Sequence, residues 1–218
     1  MIKKSASEQI TEQLRKDIIT KKYKLNEHLV EAKVSSDMGA STTPIRQAFL
    51  QLAKEGLLIV YPYRGVCVMN IDEDVIDNIK VARCMIEFEA AKAAYDNMVE
   101  KNPQCLMDVI KRAESLDVSD SYALLSNDIL FHECIIRYAE NAILMELWKT
   151  ISSRVMLLQS YAKPKGDFPI ERFKNRHMSM AEAVAFKKGR DIFLEAHRNN
   201  LMEAYSESEI KMIYNNRM

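Results

Sequence analysis

Asp128, His132, His177 and His197 are the residues of this 218-residue chain whose types and spacing promise chemistry. Asp128 and His132 stand four apart in Asp128-Ile-Leu-Phe-His132, so on a helix a carboxylate and an imidazole project from one face, about a turn apart. His177 and His197 flank a break at Lys188-Gly189, at similar distances on either side. At about 1.5 Å per residue both lie roughly 13–17 Å from that turn, at comparable heights on antiparallel helices. One carboxylate and three imidazoles can therefore converge on a single divalent transition metal. Zinc suits such a set first, and nickel, manganese or iron would accept the same donors.

A second constellation lies near the N-terminus. A short helix over about Val30–Met38 ends at Gly39, and after Ala40 a further helix opens at Ser41, with Pro44 early in it. Ile45, Phe49 and Leu52 supply its apolar face. Two helices joined by a short glycine turn make a helix-turn-helix, whose second helix enters the major groove. Ser41, Thr42 and Thr43 then place short donors on its first turn, with Arg46 a turn further toward phosphate or a guanine edge.

The elements that must position these groups follow from the apolar pattern. Ile10, Leu14 and Ile18 mark a first helix that Ser7 could cap and that runs to about Thr20. Leu57–Tyr61 and Val66–Val68 read as a hairpin closed by Pro62-Tyr63-Arg64-Gly65, a β-wing with Arg64 at its tip. From Asp72 onward the pattern is helical, with helices expected over 72–98, 104–116, 120–139, 141–162, 169–187 and 190–214. Breaks fall at Asn102-Pro103, Val118-Ser119, Glu140-Asn141, Lys163-Pro164-Lys165-Gly166 and Lys188-Gly189. The expected fold is mainly α. A winged helix-turn-helix of three helices over residues 1–70 precedes an antiparallel bundle of about six helices over 71–218.

Composition agrees. The formal charge is zero, but residues 1–70 hold eleven Lys/Arg against seven Asp/Glu while the remainder is net acidic, which suits a phosphate-binding head on a different body. Cys67, Cys84, Cys105 and Cys134 form no CxxC pair, and no apolar run is long enough to span a membrane. A soluble cytoplasmic protein with reduced thiols is expected.

The stretch Ala40-Ser-Thr-Thr-Pro-Ile-Arg46, continued by Gln47 to Leu58 with its Glu55-Gly56 and by Pro62-Tyr-Arg-Gly65, resembles the GntR family of bacterial regulators. Asn127-Asp-Ile-Leu-Phe-His132, Arg176-His177, Gly189-Arg-Asp191 and Glu195-Ala-His197 resemble the FCD ligand-binding domain of its FadR-type branch. The resemblance implies DNA contacts from Ser41, Thr43, Arg46, Arg64 and Gly65, and metal ligation by Asp128, His132, His177 and His197. It also implies an effector-facing role for Arg83, in Val81-Ala-Arg83-Cys-Met-Ile-Glu87; an Arg83–Glu87 pair on a helix surface is the plain alternative. Arg154 and Tyr161 are further candidates for the cavity. Two departures stand out. Thr42 and Ala32 occupy positions where the family often has arginine, and Lys33 beside the latter lacks the bidentate fork.

The expected function is a non-enzymatic transcription regulator, a repressor by family habit and a homodimer on near-palindromic double-stranded operator DNA. A small organic acid bound at the metal would modulate it. A regulator that senses the ion itself is one alternative. A metal-dependent hydrolase is another, against which no additional carboxylate or histidine stands out as a general base.

Overall fold

A computed structural model describes residues 5–162 and 170–205. The chain begins with α1 (Ala6–Ile19), capped by Ser5 rather than Ser7. Ser5 Oγ accepts from the Glu8 amide while the Glu8 carboxylate accepts from the Ser5 amide, which satisfies two otherwise orphaned donors. Leu14, Ile18 and Ile19 are buried against α3 (Thr42–Lys54), whose Ile45, Ala48, Phe49 and Leu52 form the matching stripe. Between them lie β1 (His28–Leu29) and α2 (Glu31–Met38), the latter closed by Gly39 at φ +60°, a left-handed cap that glycine adopts without penalty.

The wing is β2 (Leu58–Tyr61) and β3 (Gly65–Val68), antiparallel with Leu58 opposite Val68 and Tyr61 opposite Gly65. β1 adds a third strand on the other side of β3, giving the order β1-β3-β2. Sequence reading finds only the hairpin, because a two-residue strand has no period to detect.

Six further helices follow among the described residues: α4 (Glu73–Lys101), α5 (Cys105–Glu114), α6 (Ser121–Tyr138), α7 (Ala142–Tyr161), α8 (Ile170–Ala185) and α9 (Arg190–Ala204). Asp72, Asp120 and Asn141 cap α4, α6 and α7 through their side chains. α4 runs three residues beyond the expected 98, since Asn102 and not an earlier residue ends it. It packs on α6, α7 and α9, with Ala90, Ala91 and Ala94 fully buried. The expected break at 163–166, and the end of the last helix near 214, lie outside the described residues.

α7 joins head to bundle. Glu55, at the C-terminus of α3, accepts from Arg15 Nε and Nη2 at 2.8 and 2.7 Å and from Gln51 at 3.0 Å. It also accepts from the Ser153 hydroxyl of α7 at 2.8 Å. Next to it Gly56 has φ +73°, and a Cβ there would fall 1.7 Å from Arg154 Nε. Arg154 and Tyr161, two candidates for the cavity that the sequence left open, take other places. The first lies on Gly56, and the second sits at the Leu25 backbone beneath Lys21, whose Nζ is 4.5 Å from its ring.

Candidate metal centre and nucleic-acid interface

α6 presents Asp128 and His132 one turn apart, α8 presents His177 and α9 presents His197, all at most 4 % exposed. Apolar rings wall them in: Phe131 lies 4.5 Å from the His177 ring, Phe173 4.3 Å, and Trp148 6.4 Å from His132. The four residues do not form one cluster of mutual neighbours. Asp128, His132 and His177 bring donor atoms within 4.8 Å of one another, while His132 and His197 meet Glu87 in a second group of the same tightness.

Proton positions decide what the first group can do. His177 Nδ1 lies 2.7 Å from the Phe173 carbonyl, which only accepts, so the ring proton sits on Nδ1. Burial pushes the His177 pKa down to about 3, leaving the ring neutral and Nε2 bare. His132 is likewise pushed down by burial, against the pull of Glu87. Its Nδ1 lies 2.6 Å from Glu87 Oε2, close but off the N–H axis, so its proton also belongs on Nδ1. The two bare Nε2 atoms then face each other at 3.3 Å, with Asp128 Oδ1 3.6 Å from His177 Nε2. Three acceptors converge and none of them donates. A cation resolves that arrangement, and neutral imidazole nitrogens plus a carboxylate are the donors a transition ion takes.

Sequence reading missed Glu87 as part of this site. It lies on α4, is fully buried, and takes Arg83 Nε on Oε1 at 2.5 Å and His197 Nε2 on Oε2 at 3.1 Å. Burial raises its pKa, but Arg83 first and then His132 outweigh that and hold it well below the ordinary carboxylate range. The Arg83–Glu87 pair therefore exists, yet in the core (1 % and 0 % exposed) rather than on a helix surface. The one visible signal was the i,i+4 spacing. Gln159 of α7 was also missed; its Nε2 donates to Asp128 Oδ2 at 2.6 Å and steadies the carboxylate. Arg176, adjacent to His177, is a second, partly buried guanidinium whose pKa burial lowers, with Asp128 acting against that shift.

In the head, Ser41, Thr42, Thr43 and Arg46 are all exposed at the start of α3, Lys33 on α2, and Arg64 and Gly65 on the wing. Arg46 is held by Glu31 of α2 through two hydrogen bonds, 3.1 and 2.8 Å. The Glu31 carboxyl is drawn below its ordinary range by the hydrogen bond from Arg46. The pair is solvent-exposed and screened by water, weak enough for a DNA phosphate to compete.

The family model described as bacterial regulatory proteins, gntR family, matches residues 6–68, and the FCD domain model matches residues 78–191. The chain is 24% identical to the gluconate operon transcriptional repressor of Bacillus licheniformis over 90% of this chain and 82% of that one. It is 25% identical to the transcriptional repressor RspR of Escherichia coli over 84% and 80%. Among solved structures, Escherichia coli McbR/YncC superposes with a TM-score of 0.77 at 18% identity, covering 98% of this chain and 99% of that one. Among the described residues no helix is long and apolar enough to cross a membrane. A winged helix-turn-helix head on an FCD bundle, matched over most of its length, makes this chain a member of the GntR family of transcriptional regulators.

Proposed function

We propose that this regulator is a repressor whose operator affinity is set by a small carboxylate held, with a divalent metal, in the bundle. The observation that carries the reading is the meeting of His132 Nε2, His177 Nε2 and Asp128 Oδ1, which, with both ring protons on Nδ1, are three acceptors turned to one place. Asp128, His132 and His177 would hold the ion, while His197, whose Nε2 faces Glu87, belongs to the neighbouring group. When bound, the ion supplies a Lewis-acid seat for a carboxylate oxygen, with zinc the first choice for these donors. Arg83 and Arg176 offer positive charge beside that seat, although Arg83 is already engaged by Glu87. Repression is the role named for the relatives in Bacillus licheniformis and Escherichia coli.

Residues 1–70 act as the reader and 71–218 as the sensor. Ser41, Thr42, Thr43 and Arg46, with Lys33, Arg64 and Gly65, face the duplex. A second copy would provide the other half-site, and the exposed Val81, Met85 and Met202 leave α4 and α9 an apolar face on which it can pack. α7 supports a route between the functions: Gln159 holds Asp128 and Ser153 holds Glu55 at the end of the recognition helix. Such coupling equals the ligand's differential affinity for the two states.

The test is operator binding by the metal-free protein, repeated with zinc alone and with zinc plus gluconate, citrate or lactate. A change of about tenfold or more with zinc and one acid together supports the reading, being about 1.4 kcal/mol of coupling. The same change with zinc alone favours an ion sensor. Affinity indifferent to all of them contradicts both.

A further inference from the structure

We propose that Glu87 is the positioning residue of the metal centre: its carboxylate fixes the ring protons of His132 and His197, and so turns the bare Nε2 of His132 toward the ion. The inference deepens the metal reading above and rests on it.

Glu87 reaches His132 Nδ1 at 2.6 Å and His197 Nε2 at 3.1 Å through the same oxygen, Oε2. Its other oxygen takes the Nε of Arg83, a fully buried guanidinium that keeps the carboxylate an acceptor only. Each imidazole nitrogen nearest Oε2 must then carry its ring's proton, since a lone pair there would face an anion. His132 is left with Nε2 bare, directed at His177, and His197 with Nδ1 bare, a buried atom that has no hydrogen-bond partner. Without Glu87, the bare Nε2 of His177 at 3.3 Å would draw the His132 proton to Nε2. A tautomer with the proton on Nε2 would point a donor into the ion's place. His177 needs no such help, because the Phe173 carbonyl holds its proton. Metal-binding histidines commonly rely on an outer carboxylate in this way, and losing that carboxylate lowers metal affinity by roughly ten to a hundredfold.

Glu87→Gln alone strands Arg83 in the core and could fail to fold. The paired variant Arg83→Met/Glu87→Gln, which removes both charges, is therefore measured beside it. Two readouts are needed on the full-length protein. The first, in metal-free protein, is the tautomer of each histidine from two-bond nitrogen–proton NMR correlations. The parent should show His132 and His177 protonated on Nδ1 and His197 on Nε2. In the variant His132 and His197 should lose that preference while His177 keeps it. The second is zinc affinity by competition with a chromophoric chelator, expected to fall roughly ten to a hundredfold in the variant. Zinc affinity equal in parent and variant overturns the role of Glu87 and leaves the metal reading standing, whereas a parent His132 protonated on Nε2, donating to His177, removes the support of both. A parent that shows the stated tautomers and binds no zinc overturns both.

Discussion

Replacing Ser153 with alanine removes a single hydroxyl from the junction between head and bundle. That hydroxyl is 2.8 Å from Glu55 Oε2, and the residue is 9 % exposed. A hydrogen bond to a charged group is worth about 1.5–3 kcal/mol. Arg15 and Gln51 continue to hold the carboxylate in the variant, so the expected loss is smaller, about 1–2 kcal/mol. In a chain of this size each kcal/mol moves Tm by about 2–4 °C, which puts the variant roughly 2–8 °C below its parent. Acidity provides the control. Burial pushes the Glu55 carboxyl up, but Arg15, with Gln51 and Ser153, holds it below the ordinary range. A carboxyl depressed on folding stabilises the protein above its unfolded pKa, and the contribution fades as pH falls through the lower, folded value. The gap between parent and variant should thus be widest near neutral pH and close in acid. Chemical unfolding followed by circular dichroism at both pH values measures it. A gap under about 0.5 kcal/mol at neutral pH, or one that persists unchanged in acid, would refute the description of this junction.

Three further outcomes follow from the same physics. Arg46→Ala should weaken operator binding and flatten its dependence on salt by about one unit of log–log slope, read by fluorescence anisotropy across a salt series. Glu87→Gln should destabilise the metal-free protein by about 3–5 kcal/mol through the stranded Arg83, and Arg83→Met/Glu87→Gln should recover most of it, both by urea unfolding. Gly56→Ala should destabilise by about 1 kcal/mol or more, because alanine resists φ +73° and its methyl would displace Arg154; a melting point equal to the parent's would count against that close approach.

Much of the fold was legible because helices announce themselves by period. The stripe Ile45, Phe49, Leu52 and the cap at Gly39 located the recognition helix almost to the residue, and the breaks at Glu140-Asn141 and Lys188-Gly189 fall where the structure turns. β1 escaped because two residues have no periodicity, and Ser5 was passed over as a cap because Ser7 offers the same hydroxyl nearby. At the candidate site the histidines were readable, since their spacing about a turn puts them at one height. The grouping was not. Which nitrogen faces which neighbour depends on helix rotation, and that is how Glu87, visible only as the fourth residue after Arg83, comes to lie between His132 and His197. The sequence showed no additional carboxylate beside the histidines, yet the core holds one. Arg154 and Tyr161 lie on the same helix as Gln159, but a rotation about its axis sends them to the head and Gln159 to Asp128.

The central claim is that the facing Nε2 atoms of His132 and His177, with Asp128, hold an ion. Calorimetric titration of zinc into metal-free parent protein and into His177→Ala at pH 7 tests it most directly. The account predicts one ion per chain in the parent, released protons fewer than one per ion because both imidazoles are already neutral, and loss of that binding in the variant. A parent that takes up no zinc, or a variant that binds it as tightly as the parent, would contradict it.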